Sequence, residues 1–217
     1  MERKITVKGT GYASVKPDLM VLTIDVRSRD FDYEMAMKKA SDASHQLVDA
    51  VTAVEFAKDD LKTTDFRINT DYKSQKTNDG TYKSIFNGYV CRQDFRLEFE
   101  LDFTRLSQVL IAISKLSFQP ELEIEFTVKD TNSVSETLLR SATINAREKA
   151  EILADASGVK LGDLLDIHYN WGRIDLYSTT NYQTRESPQM LSESINPYIA
   201  PEDISVQDTV TFVWAIQ

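Results

Sequence analysis

The sequence predicts an α+β fold: two β-α-β-β-like halves, with long helices packed on one face of mainly antiparallel sheet. Three observations predict it. Several segments alternate apolar and polar residues with a period of two, as strands do when only one of their faces is covered. Two long segments, residues 31–56 and 133–157, repeat small apolar residues at spacings of three and four, as amphipathic helices do. The order strand, helix, strand, strand also occurs twice along the chain, with no residue-level identity between the two passes.

The elements follow in order. Residues 18–28 form a strand with Met20, Leu22, Ile24 and Val26 on one face. Helix 31–56 carries Ala36, Ala40, Ala43, Leu47, Val51 and Val54 in one stripe, and Asp30 or Asp32 caps its start. Strands 61–75 and 83–101 follow, joined by the turn signal "NDG" at 78–80. Phe95, Leu97, Phe99 and Leu101 define the apolar face of the second strand. Asp102 caps a short helix over 103–117, whose buried face is Leu106, Val109, Leu110 and Ile113.

The second pass opens with strand 121–129, where Leu122, Ile124, Phe126 and Val128 alternate with Glu121, Glu123 and Glu125. Helix 133–157 carries Leu139, Ala142, Ala146, Ala150 and Leu153. Ser133 and Glu136 fit a capping box, and Gly158 stands where a left-handed C-terminal cap belongs. Alanine dominates both long stripes, so both helices can lie close to a sheet. Strands 163–176 and 202–216 close the chain. The last places Ile204, Val206, Val210, Phe212, Trp214 and Ile216 on one face, interrupted by Asp208. Residues 1–217 are read as one domain, with sub-halves 1–101 and 102–217.

Residues 177–201 stand apart. They hold three of the five prolines and many Ser, Thr and Asn residues, and are read as a long flexible loop or arm. Aromatic and Met side chains favour interfaces, so Tyr177, Tyr182, Met190 and Tyr198 are candidate interaction residues. Trp171, in the bend "NWGR", joins them.

Charge narrows the function classes. Asp and Glu number 34 against 25 Lys and Arg, a formal net charge of −9, which repels phosphate backbones and anionic membrane surfaces. Nucleic-acid binding and membrane insertion are therefore not expected. The N-terminus shows no apolar signal-peptide core, so a cytoplasmic location is expected. Cys91 is the single cysteine, which excludes an intrachain disulfide and a multi-thiolate zinc site; it is read as a buried structural thiol.

"GTGYASVKPD" (9–18) has the G-x-G of a phosphate loop. But the third glycine is absent, Pro17 interrupts, and a strand follows instead of a helix. Gly9 and Gly11 are read instead as strand glycines marking a bulge or a close backbone approach. No cofactor and no catalytic or metal-ligating residue is assigned. The alternative is a small-ligand or cation binder, or a hydrolase, using an acidic sheet face. Glu121, Glu123 and Glu125 would supply that face, joined by Glu98 and Glu100 if their strands pair, together with His168 oriented by Asp166. His45 is read as a solvated helix residue.

Several stretches, taken together and in order, carry a resemblance. "ITVKGTGYASVKPDLMVLTIDV" (5–26), "LKTTDFRINTDY" (61–72), "GYVCRQDFRLEFELDFTRLSQVL" (88–110), "INAREKAEILADASGVKLGDLLDI" (144–167) and "ISVQDTVTFVWAI" (204–216) are similar to landmarks of the SIMPL-domain family. This is the bacterial group that includes the periplasmic immunogenic proteins. The resemblance covers nearly the whole chain. It implies the α+β fold above, no established enzymatic activity and no catalytic residues to carry over. Some members assemble into larger homo-oligomers and some are linked with stress tolerance, so the resemblance implies both here as expectations; the leading reading is a non-catalytic protein that self-associates and binds protein partners through sheet edges and the 177–201 arm. Many members carry a signal peptide, and the first long helix often ends near a glycine; here "EFAKDD" (55–60) takes that place.

Overall fold

The computed structural model describes residues 3–76, 80–170, 172, 174–184 and 200–217. The strands are β1 (Lys4–Val15), β2 (Leu19–Asp30), β3 (Leu61–Lys76), β4 (Tyr82–Glu100), β5 (Glu121–Thr127), β6 (Leu161–Tyr169), β7 (Tyr177–Thr184) and β8 (Ile204–Ile216). The helices are α1 (Tyr33–Thr52), α2 (Phe103–Ser114) and α3 (Thr131–Ala156). The expected α+β class is the observed one. The strands form a three-stranded sheet, β1-β8-β6, and a five-stranded sheet, β3-β4-β2-β5-β7.

The chain condenses into two compact units. One comprises Met1–Asp18, Thr127–Thr179 and Pro201–Gln217; the other comprises Leu19–Phe126 and Thr180–Ala200. These units do not follow the sequential halves 1–101 and 102–217. The physical reason is strand pairing between the chain's ends: β1 runs antiparallel to β8 from Lys4 opposite Ala215 to Val15 opposite Ile204.

In the second unit α1 and α2 cover one face of the five-stranded sheet. Asp32 is the α1 cap, its carboxylate accepting from the Met35 N–H, and Ala36, Ala40, Ala43, Leu47 and Val51 are buried. Asp102 caps α2 by accepting from the Thr104 and Arg105 N–H groups, and Leu106, Val109, Leu110 and Ile113 are buried, all as expected. They pack on Met20, Leu22, Ile24 and Val26 of β2, Phe95, Leu97 and Phe99 of β4, and Leu122, Ile124 and Phe126 of β5. Cys91 is buried as expected, and burial pushes its thiol pKa up. In the chain segment after α1, Glu55 takes a φ of 66°, the left-handed conformation that a glycine would adopt without strain.

In the first unit α3 lies over β1 and β8. Its buried row is Val134, Leu138, Ala142, Ala146, Ala150 and Ala154. Leu153, expected in that stripe, is exposed: the buried row advances by four residues throughout, which selects Ala154. The expected capping box is also displaced. The cap is Asp130, whose Oδ1 accepts from the Ser133 N–H, and Glu136 pairs instead with Arg140 one turn on. At the other end Gly158 has φ 70°. Its N–H bonds the Asp155 carbonyl while the Val159 N–H bonds the Ala154 carbonyl, a Schellman closure.

The two glycines of "GTG" explain how α3 sits so close. A Cβ on Gly9 would overlap the Ala142 carbonyl oxygen and lie 2.7 Å from Ala146 Cβ; one on Gly11 would overlap the Leu138 carbonyl oxygen and lie 2.8 Å from Ala142 N. The close approach read from the sequence is thus the observed one, and the backbone that approaches is that of α3. The same helix satisfies the outer edge of β1. Asn145 Oδ1 accepts from the Thr10 N–H at 3.0 Å, Ser141 Oγ from the Tyr12 N–H at 3.2 Å, and Lys149 Nζ donates to the Lys8 carbonyl at 3.3 Å.

Two boundaries differ from expectation. The strand expected over 163–176 ends at Tyr169, because the chain turns with the Gly172 N–H on the Asn170 carbonyl. The segment expected to be a loop or arm from 177 begins with a strand, β7, which takes the edge beside β5. Its sequence, "YSTTNYQT", has no apolar alternation to reveal it. Residues 185–199 of the expected arm lie outside the described residues.

Candidate functional site

The face of the five-stranded sheet opposite α1 and α2 carries charged residues, and a buried carboxylate lies among them. Asp25 sits in β2 directly opposite Asp94 of β4, and the next pair on that face is Arg27 opposite Arg92. Like charges placed side by side on a sheet repel. The ladder resolves this diagonally. Asp25 Oδ2 accepts from Arg92 Nη2 at 2.5 Å and from Arg27 Nη2 at 3.1 Å. Arg27 Nη2 also reaches Glu121 Oε2 on β5 at 3.1 Å, and Arg92 Nε reaches Asp94 Oδ1 at 3.2 Å. The hydrogen bond to Asp25 raises the pKa of Arg27 above its ordinary value.

Asp25 is only 8% exposed. Its Oδ1 is fully buried and has no hydrogen-bond partner among the described residues. A buried carboxylate oxygen left unpaired is costly, by about 1–3 kcal/mol. Beside it is a cleft of about 170 Å³ lined by Thr23, Asp25, Arg92, Asp94, Glu121, Leu122, Glu123 and Gln183. Gln183 of β7 donates to Glu123 Oε1 at 2.5 Å and closes one side. The cleft is therefore acidic on balance and carries fixed hydrogen-bonding groups from four strands.

The acidic-face residues distribute as follows. Glu121 and Glu123 line the cleft. Glu98 and Glu100 do not neighbour them, because β2 lies between β4 and β5; Glu98 pairs with Arg96 at 2.5 Å. His168 belongs to β6 in the other unit, where its Nε2 lies 3.1 Å from Asp166 Oδ2, the partner the period of two gave it. Asp25 was missed in the sequence because a single Asp in "VLTIDV" announces nothing until the register sets Arg92 and Arg27 beside it. Among the described residues no group of three or more His, Cys, Asp or Glu is arranged to hold a metal ion.

A second feature of the same unit is a surface cluster of aromatic rings at the far end of the β3–β4 hairpin. Phe86 is its hub, with edge-on contacts to Phe31, Tyr72 and Tyr89 at centroid distances of 6.4, 5.9 and 5.4 Å. Tyr33 packs on Tyr89 at 5.5 Å. Phe31, Tyr33, Tyr72 and Phe86 are all exposed, as are Phe66, Tyr82 and Ile85 elsewhere on the β3–β4 hairpin. Exposed rings grouped in this way mark interaction surfaces. Of the candidate interaction residues named from sequence, Tyr182 is exposed on β7 and Tyr177 is half-buried at its start, where the strand holds both. Trp171, Met190 and Tyr198 lie outside the described residues. The hairpin cluster was missed because its rings are spread over residues 31–89 and only the fold gathers them.

Known proteins add the following. The family model for SIMPL, a protein of unknown function (DUF541), matches residues 5–214. "Uncharacterized protein YggE" of Escherichia coli strain K12 is 25% identical over 219 residues, covering 98% of this chain and 83% of that protein. The "26 kDa periplasmic immunogenic protein" of Brucella melitensis is 23% identical over 164 residues, covering 76% of this chain and 65% of that protein. Neither name is that of an enzyme, and the Brucella name places that protein in the periplasm. Among the described residues no helix is long and apolar enough to cross a membrane. With a match that runs from the first strand to the last, the chain belongs to the SIMPL family, whose biochemical function is uncharacterized.

Proposed function

We propose that this chain is a non-catalytic assembly module that self-associates and engages protein partners through sheet edges and surface aromatic rings. The observation that supports it is the cluster of exposed Phe31, Tyr33, Tyr72 and Phe86 around half-buried Tyr89, where the β3–β4 hairpin meets the start of α1. Rings offer large contact area at low entropic cost, and an edge strand offers backbone donors and acceptors in register. The family resemblance extends the proposal to stress tolerance, with the assembled form as the working state. The test is absolute mass by light scattering after size exclusion. The expected result is a discrete species well above the 24.7 kDa of one chain, shifted toward monomer by Tyr72→Ser with Phe86→Ser. A 24.7 kDa species at every concentration refutes the reading. Fractionating cells for the full gene product decides between the cytoplasmic location expected from the sequence and the periplasm.

A second reading has one observation in its favour, the unpartnered Oδ1 of Asp25 beside the acidic cleft. The cleft suits a small cationic ligand, whose ammonium group would sit among the carboxylates of Asp94, Glu121 and Glu123. Raised melting temperature with a panel of primary amines, lost in Glu123→Gln, supports it; a flat response across amines and divalent cations removes it.

A further inference from the structure

We infer that β3 is a two-fold interface strand, pairing antiparallel with β3 of a second copy about an axis through Asn69. The inference rests on the self-association proposed above and names the surface that carries it.

The edge itself comes first. β3 is an outer strand of the five-stranded sheet. On its inner side it pairs with β4 from Leu61 to Lys76. Most of its residues are exposed, and the strand contains no proline. Its one irregularity is an extra residue at Thr64, between the pairs Thr63–Phe95 and Asp65–Asp94. The other register shift, between Thr70 and Tyr72, is an extra residue on β4, where Gly88 has φ 105°. From Asp65 to Lys76 the edge is therefore unbroken on the β3 side. Natural proteins shield such edges with bulges, prolines or a covering element. In the same chain α3 shields the outer edge of β1 with three side chains.

The sequence of that edge is self-complementary. In a two-fold antiparallel pair centred on Asn69, Arg67 of one copy faces Asp71 of the other, and Asp65 faces Lys73. On the opposite face of the pleat Phe66 meets Tyr72, and next to the axis Ile68 meets Thr70. Symmetry repeats every pair. Opposed residues in a continuous sheet share a face, so the allowed alternatives are shifted centres. Each neighbouring centre fails on charge: centring on Ile68 sets Asp65 against Asp71, and centring on Thr70 sets Arg67 against Lys73. Centring on Arg67 or Asp71 sets that residue against itself. The Asn69 centre alone among these has two kinds of opposite-charge pair and no like pair. The irregularity at Thr64 ends the regular edge before Lys62 would meet Lys76.

The burial pattern agrees. Phe66 and Tyr72 are 47% and 56% exposed. The pairing covers each with the other copy's ring. It also continues the cluster in which Tyr72 already touches Phe86. Asp71 remains held by Arg29 and Asn87, both on Oδ2, so its position at the interface is fixed before association.

The test is disulfide trapping by single cysteines. In antiparallel pairs directly opposed Cα atoms are about 4.5–5.5 Å apart, inside the range of about 4.4–6.8 Å that a disulfide needs. Asn69→Cys should therefore cross-link to a dimer under mild oxidation. Arg67→Cys should not, because its copies lie about four residues apart along the strand, on the order of 13 Å. Mixing Arg67→Cys with Asp71→Cys should restore the cross-link. Native Cys91 is buried, and the unaltered chain serves as its control. A second measurement uses charge. Lys73→Glu sets Glu against Asp65 and should weaken self-association on the order of tenfold, with recovery in Asp65→Lys combined with Lys73→Glu. Circular dichroism confirms that each variant is folded. Trapping at 69 that exceeds trapping at 67 and 73 supports the inference. Equal or absent trapping at 69 from a chain that light scattering shows to be oligomeric overturns the β3 interface and leaves self-association standing. A monomer overturns both.

Discussion

Replacing Gly11 with alanine should unlatch α3 from the three-stranded sheet. The added Cβ would overlap the Leu138 carbonyl oxygen and stand 2.8 Å from Ala142 N and 2.9 Å from the Leu138 carbonyl carbon. All three are main-chain atoms of a helix, so no rotamer change can make room. α3 must lift by on the order of 1 Å for a carbon–oxygen contact near 3.3 Å. Lifting it loosens the bonds from Thr10 N to Asn145 and Tyr12 N to Ser141, which hold the strand edge. Overpacking costs about 1–3 kcal/mol and each weakened hydrogen bond about 1 kcal/mol, so about 3–4 kcal/mol is expected. Gly9→Ala should behave alike, through Ala142 and Ala146. Urea unfolding followed by circular dichroism reads the change as a shift of midpoint. The controls are Thr10→Ala, which keeps the backbone contacts, and Ser141→Ala, which removes one bond only. A loss under about 0.5 kcal/mol for Gly11→Ala would refute the reasoning, since a change that small is what an ordinary surface substitution costs. The same experiment separates this reading of "GTG" from a phosphate loop, because a loop glycine would change ligand binding and leave helix packing intact.

Four further outcomes are expected. Gly158→Ala leaves the new methyl in open space but strains the left-handed cap at φ 70°, and should cost about 1 kcal/mol in urea unfolding. Glu55→Gly relieves a non-glycine residue at φ 66° and should be neutral or stabilising by up to about 1 kcal/mol, less whatever flexibility it adds to the unfolded chain. Asp102→Ala removes the acceptor for two α2 N–H groups and should cost about 1 kcal/mol, with Asp102→Ser recovering most of it. Cys91 should resist thiol reagents until the chain unfolds. Its folded pKa is raised, so the folded state keeps the proton longer than the unfolded state does. Stability should then fall as pH rises past about 8.5, the unfolded thiol's pKa, and Cys91→Ala should lack that part of the slope.

Much of this fold is legible because burial writes period into sequence. The stripes of α1 and α2 and the alternation of β2, β4, β5 and β8 are each repeated over enough residues to survive local exceptions. Helix starts are legible where an Asp stands alone before the stripe, as Asp102 does. α3 misleads because "KDTNSVSE" offers two starts, and Asp130 wins by opening the helix two residues earlier. β7 is illegible because polar Thr, Asn and Gln on an edge strand leave no apolar alternation. The Asp25 site is illegible for a different reason. Its charges come from residues 25, 27, 92 and 121, and only the β4-β2-β5 order brings them together. Sequence period reports which face a residue occupies, while a site depends on which strands are neighbours.

The treatment of strand edges ties these observations to function. At β1 the chain spends two glycines and three polar side chains of one helix row, Ser141, Asn145 and Lys149, to occupy the outward backbone groups. The glycines make the approach possible and the polar row makes it specific, so the edge is closed to any other strand. Among the described residues no such device operates at β3 between Asp65 and Lys76, although that edge has exposed rings. Instead its charges alternate in an order that accepts its own reversed copy at Asn69 and opposes the neighbouring centres. An edge under no functional demand is usually closed or loaded with one sign of charge. Opposed signs placed symmetrically about one residue do neither; they reject the neighbouring registers and favour the one centred on Asn69. That combination of open backbone, exposed rings and register-selecting charge is what an assembly strand requires, and it makes β3 the first place to look for the surface on which this protein works.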